Sequence, residues 1–242
     1  VNVGDIAPKT PGISLSLIVF SGLPGTGKSS LAEATGRALG LPVVSRDRLA
    51  ATLRRCQITE AHGQGSGWTA YELLTDLAEA QLRLGVSVIL DSVATQENVR
   101  AAWRALAARH RANFCVIECV CSDEALWRPR ITSRRRDIPG WSELGWNDVD
   151  QVRRRFEPWT GERLIVDSVE PIEVNLDKIL AYLSGGCAGQ DSRESVDATS
   201  KPCYDINNGV CRAMLAEPHT SHWNYIYLYL APAPVLLLRG GC

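Results

Sequence analysis

Gly22-Leu23-Pro24-Gly25-Thr26-Gly27-Lys28-Ser29 is a complete G-x-x-x-x-G-K-[ST] loop, with Ser30 as its continuation. It stands after an apolar run, Leu15 to Phe20, and before a helical pattern that starts at Lys28. Glycines at these positions let the backbone wrap a polyphosphate with its N–H groups turned inward, because no Cβ obstructs the approach. The helix that follows directs its partly positive N-terminus at the same anion. Lys28 adds a positive charge for the terminal phosphates, and Ser29 offers a hydroxyl to Mg²⁺. The strand–loop–helix context predicts a nucleoside-triphosphate site over residues 22–30.

Working outward, four more apolar runs read as buried strands: Pro42–Ser45, Val86–Leu90, Asn113–Cys121 and Leu164–Val166. Helical patterns alternate with them, which predicts an α/β fold with a parallel sheet covered on both faces. The expected core stripes are Leu31, Ala34, Ala38 and Leu39; Leu73, Leu77, Ala80 and Leu84; and Val99, Ala102, Trp103, Leu106 and Ala107. Residues 123–147 are rich in Arg and Trp and broken by Pro and Gly. The alternation ends near Ser184. We therefore expect an N-terminal extension over 1–14, a phosphate-loop domain over 15–184, and a linker and C-terminal extension of unassigned role over 185–242. A strand-like stretch, Tyr225–Leu230, lies in that extension.

The 242 residues leave room for one α/β domain and an appendage. A net charge of −1 argues against wholesale capture by nucleic acid or an anionic membrane. Apolar residues make up 45% of the chain, with no uninterrupted run long enough for a bilayer, so no membrane partner is expected. The first residues lack the pattern of a secretory signal, and cytoplasmic residence is the expectation. Of eight cysteines, Cys115, Cys119 and Cys121 fall on or beside a strand and Cys56 stands alone; reduced thiols are expected.

Three stations beside the loop carry potential chemistry. Asp47 follows the second strand at the carboxyl edge of the sheet, where ligands collect. There it is either a base for a hydroxyl attacking a γ-phosphate or a helix cap. Asp91 closes Val86-Ser87-Val88-Ile89-Leu90, which suits it to Mg²⁺ or to a turn. Arg128, Arg130, Arg134, Arg135 and Arg136 form either a flap over the phosphates or a solvated basic helix. Trp68, Trp127, Trp141 and Trp146 are either walls of an acceptor pocket or packing residues.

Together these stations resemble the small P-loop kinases: bacterial AAA-type ATP-binding kinase-like proteins, the kinase domain of phage polynucleotide kinase, chloramphenicol phosphotransferase and zeta toxins. The likeness rests on GLPGTGKS, on Ser45-Arg46-Asp47-Arg48, on Val88-Ile89-Leu90-Asp91-Ser92 and on Ser133-Arg134-Arg135-Arg136. It implies a P-loop NTPase fold of nucleoside-kinase type, a five-stranded parallel sheet in the order 2-3-1-4-5, and an Arg-rich lid. It also implies ATP and Mg²⁺ as cofactors. Lys28 and Ser29 would be phosphate and metal ligands, Asp47 the general base, Asp91 a metal or substrate residue, and Arg130 and Arg134 lid arginines. The segment Val166-Asp167-Ser168 would lie near the adenine. Arg48 stands where polynucleotide kinase has a second acidic residue, which disfavours a nucleic-acid acceptor.

The leading expectation is an ATP-dependent phosphotransferase acting on a hydroxyl of a small molecule or nucleic-acid end. The alternative is an ATP-binding switch or ATPase with no acceptor. No N-K-x-D stretch supports a GTPase, and Leu183-Ser184-Gly185-Gly186 reads as a helix end. A third class, a zinc-binding tail, would use Cys203, Cys211, His219 and His222.

Overall fold

Ser16–Ser21 (β1) runs through the middle of a parallel sheet, with Val88–Asp91 (β3) on one side and Asn113–Val120 (β4) on the other. Val43–Ser45 (β2) pairs with β3 and Leu164–Asp167 (β5) with β4, giving the order β2-β3-β1-β4-β5. This is the order that the kinase resemblance implies. The computed structural model describes residues 13–58, 66–136 and 138–187, with the backbone of 203–204 and 211–212.

Seven helices accompany the sheet among the described residues: Lys28–Leu39 (α1), Arg46–Arg55 (α2), Ser66–Arg83 (α3), Glu97–Arg109 (α4), Glu124–Ser133 (α5), Trp146–Arg155 (α6) and Ile172–Ser184 (α7). The side chains of β1 divide between two cores. Leu17 and Val19 pack with Val88, Leu90 and Val116 against Leu74 of α3 and Trp103 of α4. Ile18 and Phe20 pack with Ile89 and Ile117 against Leu31 of α1 and Ile179 of α7. Burial on both faces is why the central strands read as unbroken apolar runs. Among the described residues no helix is long and apolar enough to cross a membrane.

Several stripes differ from the sequence reading. On α3 the buried line is Ala70, Leu74, Ala78 and Leu82, while Leu73, Leu77 and Ala80 are exposed and Leu84 is 66% exposed. The helix carries leucines on two sides, and the side bearing two alanines is the one that lies close to its neighbours. On α1 the buried positions are Lys28, Leu31, Ala32, Thr35 and Gly36, whereas Ala38 is exposed and Ala34 half-buried. Gly36 has no room for more: a Cβ there would sit 2.4 Å from Val43 Cγ2. On α4, Ala102 faces solvent, and the fully buried Arg100 takes part in the core instead.

The cysteines depart from expectation too. Cys115 of β4 is joined by a disulfide to Cys187, just beyond α7, with their Cα atoms 5.6 Å apart. Spacing along the chain gave no hint of it, because 72 residues separate them. Cys119 and Cys121 are free and buried, and Cys56 is free and exposed.

The chain divides into two units, Val1–Arg193 and Glu194–Cys242. In the second, Cys203–Tyr204 (β6) and Cys211–Arg212 (β7) form an antiparallel pair. Residues 188–202 of the linker expected over 185–202, the strand-like Tyr225–Leu230, and His219 and His222 of the zinc reading lie outside the described residues, as do residues 1–12 of the N-terminal extension.

Candidate active site

The loop between β1 and α1 is shaped by its glycines and by its neighbours. Gly22 and Gly25 have φ of +138° and +83°, conformations that L side chains rarely adopt. A Cβ on Gly22 would lie 2.2 Å from the carbonyl oxygen of Cys119, and one on Gly25 would lie 2.4 Å from Ile131 Cδ1. Thr26 Oγ1 donates to the Leu23 carbonyl at 2.8 Å, closing the turn. From α5, Trp127 Nε1 donates to the Pro24 carbonyl at 2.8 Å and fastens that helix to the loop.

Lys28 opens α1 and is only 3% exposed. Its ammonium makes no hydrogen bond or ion-pair contact among the described residues, so a buried positive charge stands without a direct counter-ion. Burial pulls its pKa below the ordinary value, against the opposing pull of Asp91 and Asp47. Such a charge is suited to an anion brought by a ligand.

Strand register gathers the two acidic stations. Asp91, the last residue of β3, lies level with Phe20 of β1 and with Ser45 of β2. Ser45 is the N-cap of α2 and makes no side-chain capping bond, and Asp47 stands in the first turn. Asp47 does not cap the helix. Its Oδ2 is ion-paired with Arg136, and its Oδ1 accepts from Arg46 Nη1 at 3.4 Å. Burial works against its charge, but Lys28, Arg136 and Arg46 outweigh that and hold the carboxyl below its ordinary value. Asp91 is buried, and its Oδ1 has no hydrogen-bond partner.

Two cavities lie nearby; Asp91 lines one of them, and Asp47 and Lys28 line neither. One, of about 620 Å³, lies among Gly25, Gly27, Arg130, Ser168, Ile172 and Asn175. The other, of about 410 Å³, lies among Ser29, Ser45, Arg48, Asp91, Arg135 and Arg136. Ser30 and Arg134 line both. The two cavities beside the loop therefore share one guanidinium among their lining residues. Arg134 has its pKa lowered by burial and by Arg136, while Asp91 and Asp47 oppose the shift.

The arginines expected to act together separate into three groups. Arg130 reaches across to β5's end, where Nη1 donates to Ser168 Oγ at 2.9 Å and to its carbonyl at 3.1 Å. Arg134, Arg135 and Arg136 follow α5 and line the smaller cavity. Arg128 leaves the site: it pairs with Glu124 at 2.7 Å and stacks on Trp146. Ser168 does border the larger cavity beside the loop.

The tryptophans line neither cavity. Trp127 is buried behind the loop in edge contact with Trp146, Trp141 lies under Arg54 and Arg136, and Trp68 packs against the α3 and α4 core. Their rings are consumed by packing and by guanidinium contacts. Asn175 and Arg100 belong to none of the motifs of the sequence. Asn175 of α7 is buried, donates to the Asp167 carbonyl at 2.8 Å and borders the larger cavity. Arg100 donates to the carbonyls of Ala94 at 2.8 Å and Glu157 at 2.6 Å, which ties down the loop after Asp91. Polar residues inside otherwise apolar helical patterns were the signal for both. Cys119 beside the loop is no nucleophile, because burial pushes its thiol up to about 12.

No curated protein matches the chain. Solved structures do. A protein of Chloroflexus aurantiacus j-10-fl, provisionally assigned as a kinase, is 24% identical over 72% of this chain and 98% of its own, with a TM-score of 0.58. Kti12 of Chaetomium thermophilum, solved with ADP-AlF3, is 20% identical over 72% of this chain and 100% of its own, with a TM-score of 0.56. A gluconokinase of Sinorhizobium meliloti 1021 is 20% identical over 70% and 92%, with a TM-score of 0.53. At these identities the likeness is one of fold. The sequence profile of a family described as an AAA domain matches residues 17–159, which takes in the loop, Asp47, Asp91 and the arginines. On that match, and with the sheet order and loop geometry in agreement, the chain belongs to the AAA-domain family.

Proposed function

We propose that the protein is an ATP-dependent phosphotransferase that moves the γ-phosphate of ATP to a hydroxyl of a small acceptor. One observation carries this reading: the two cavities share Ser30 and Arg134 at the mouth of the phosphate loop. A nucleotide hydrolase or switch needs one compartment, whereas group transfer needs two that meet where the phosphoryl group passes. The names of the kinases that share the fold point the same way, and the ADP-AlF3 complex of another fold relative supports nucleotide use.

In this reading the larger cavity takes the nucleoside, and residues 22–30 with Lys28 hold its phosphates. The acceptor oxygen bonds to the γ-phosphorus as the bond from that phosphorus to the β–γ bridging oxygen breaks, and ADP leaves. Asp47 receives the hydroxyl proton. A carboxylate has about four lone-pair sites, so its contacts to Arg136 and Arg46 leave room for one more. Because its pKa is depressed, Asp47 orients the hydroxyl in the ground state and takes the proton late. Arg130 and Arg134 steady the charge on the equatorial oxygens, and Arg134 does so from the boundary of the two compartments.

The residues present fit Mg²⁺. Ser29 lines the cavity beside Asp91, and the unpartnered Asp91 Oδ1 is a buried anionic oxygen awaiting a positive partner. Among the described residues no three acidic, His or Cys side chains cluster, and Mg²⁺ does not need them, since it keeps water and phosphate oxygens as ligands. When bound, the ion neutralises phosphate charge. Kinship with polynucleotide kinase, chloramphenicol phosphotransferase and zeta toxins belongs to the same proposal and rests on the motifs around Asp47 and Asp91.

The test is ADP release from Mg-ATP with and without a panel of nucleosides, sugars, phenicol- and aminoglycoside-type compounds and 5′-hydroxyl oligonucleotides. Release that depends on one of them is the expected result. Nucleotide binding followed only by slow, acceptor-independent hydrolysis would establish the switch instead.

A further inference from the structure

The smaller cavity carries more positive charge than phosphoryl transfer requires. Its walls include Arg48, Arg134, Arg135 and Arg136, against two carboxylates, Glu33 and Asp91. Four of these six charges already have work or partners. Glu33 is paired with Arg37 at 3.2 Å, Arg136 is paired with Asp47, and Arg134 stands where the γ-phosphate passes. Asp91 is the carboxylate that fits a metal ion. Arg48 and Arg135 remain. Among the described residues neither guanidinium has a hydrogen bond or an ion pair.

They reach the cavity from separate elements, Arg48 from α2 and Arg135 from the segment after α5. A neutral sugar or nucleoside entering between them would strip water from two cations and return nothing ionic. An oxyanion would return forked, charge-assisted hydrogen bonds to both. A volume of about 410 Å³ is that of a small-molecule site.

We infer that the acceptor is a small hydroxyl compound that also bears an oxyanion, a carboxylate or a phosphate ester, and that Arg48 and Arg135 bind that group. The inference rests on the phosphotransfer reading above. It adds a specificity that the loop and Asp47 do not supply. The oxyanion takes no part in bond making; it sets which hydroxyl is presented to the γ-phosphorus.

The experiment uses the full chain with Mg-ATP and acceptors in matched sets: glucose, gluconate and glucose 1-phosphate; adenosine and its 3′-monophosphate; glycerol, glycerate and glycerol 3-phosphate. ADP release is followed, and ATP affinity is measured by calorimetry. An anionic member should exceed its neutral counterpart by about tenfold or more in kcat/KM, the value of one charge-assisted contact. The carboxylate and phosphate arms tell which oxyanion is read. Arg48→Gln and Arg135→Gln should each raise KM for that acceptor about tenfold while kcat changes far less, and Arg48→Lys should recover part of the loss. Both positions are exposed, and a thermal melt verifies folding of each variant. A neutral member used as well as its anionic partner, or a KM that neither glutamine variant moves, would overturn the inference and leave phosphotransfer standing. ATP binding with no acceptor-dependent release across every set would overturn phosphotransfer itself, and the inference with it.

Discussion

Arg136 closes its guanidinium on the carboxylate of Asp47 from 89 positions further along the chain. The pair ties the segment after α5 to the first turn of α2; against the opposing effect of burial, the Lys28 charge first and then the Arg136 charge and hydrogen bond hold the Asp47 carboxyl below its ordinary value. The sign of the pH effect follows. A depressed carboxyl contributes stability that is full above its unfolded pKa and lost as pH falls through the folded one. In Arg136→Ala the Asp47 pKa rises, so the acid limb of both the stability curve and the rate profile should move to higher pH. Thermal melts and kcat/KM measured from pH 3 to 7 (roughly the carboxylate range) check this. Superimposable acid limbs would mean that Arg136 does not govern Asp47.

Asp47→Asn should leave ATP affinity within about twofold and lower turnover by about two to four orders of magnitude, the usual contribution of a general base. The amide keeps the shape and cannot take the proton. Near-normal transfer by this variant would reduce Asp47 to an anchor for Arg136.

Lys28→Met is expected to move two quantities in opposite directions. Removing a buried ammonium that lacks a direct partner removes a desolvation cost, so the ligand-free variant should melt at or above the temperature of the parent. Its ATP affinity should fall by about a hundredfold or more, since the charge-assisted contact to phosphate is gone. A drop in both would show that Asp91 and Asp47 already neutralise Lys28 in the free protein.

The bond between Cys115 and Cys187 closes a 72-residue loop that contains β5 and α7. Constraint of the unfolded chain by such a loop is worth about 2–4 kcal/mol. Dithiothreitol, or Cys187→Ala, should lower the melting temperature by several degrees without altering ATP affinity. Mass mapping of the intact protein would locate the bridge.

Much of this architecture was legible in the residues. The buried strands announced themselves because each is covered on both faces, and the phosphate loop because its chemistry fixes its glycines. Asp47 and Asp91 could be singled out since strand ends are also ligand edges. What escaped was set by tertiary distance. Nothing local says that Arg136 rather than Arg130 meets Asp47, or that Cys115 meets Cys187. The core face of α3 was misread because Leu73, Leu77 and Leu84 are as regularly spaced as Ala70, Leu74, Ala78 and Leu82, and only the close neighbours decide that the smaller set turns inward. The tryptophans stay open between ligand wall and packing residue in the sequence, because an aromatic residue between arginines reads the same whether it stacks on a base or on a guanidinium.

The hydrogen bond from Trp127 to the Pro24 carbonyl divides the arginines by what they can do in time. Arg130 rides on a helix pinned to the phosphate loop, so under the phosphotransfer proposal it keeps its place against the nucleotide's bed. Arg134, Arg135 and Arg136 come after the helix has ended. Any tightening around a second substrate falls to that short strap, and a cross-link that freezes it should spare nucleotide uptake while arresting turnover.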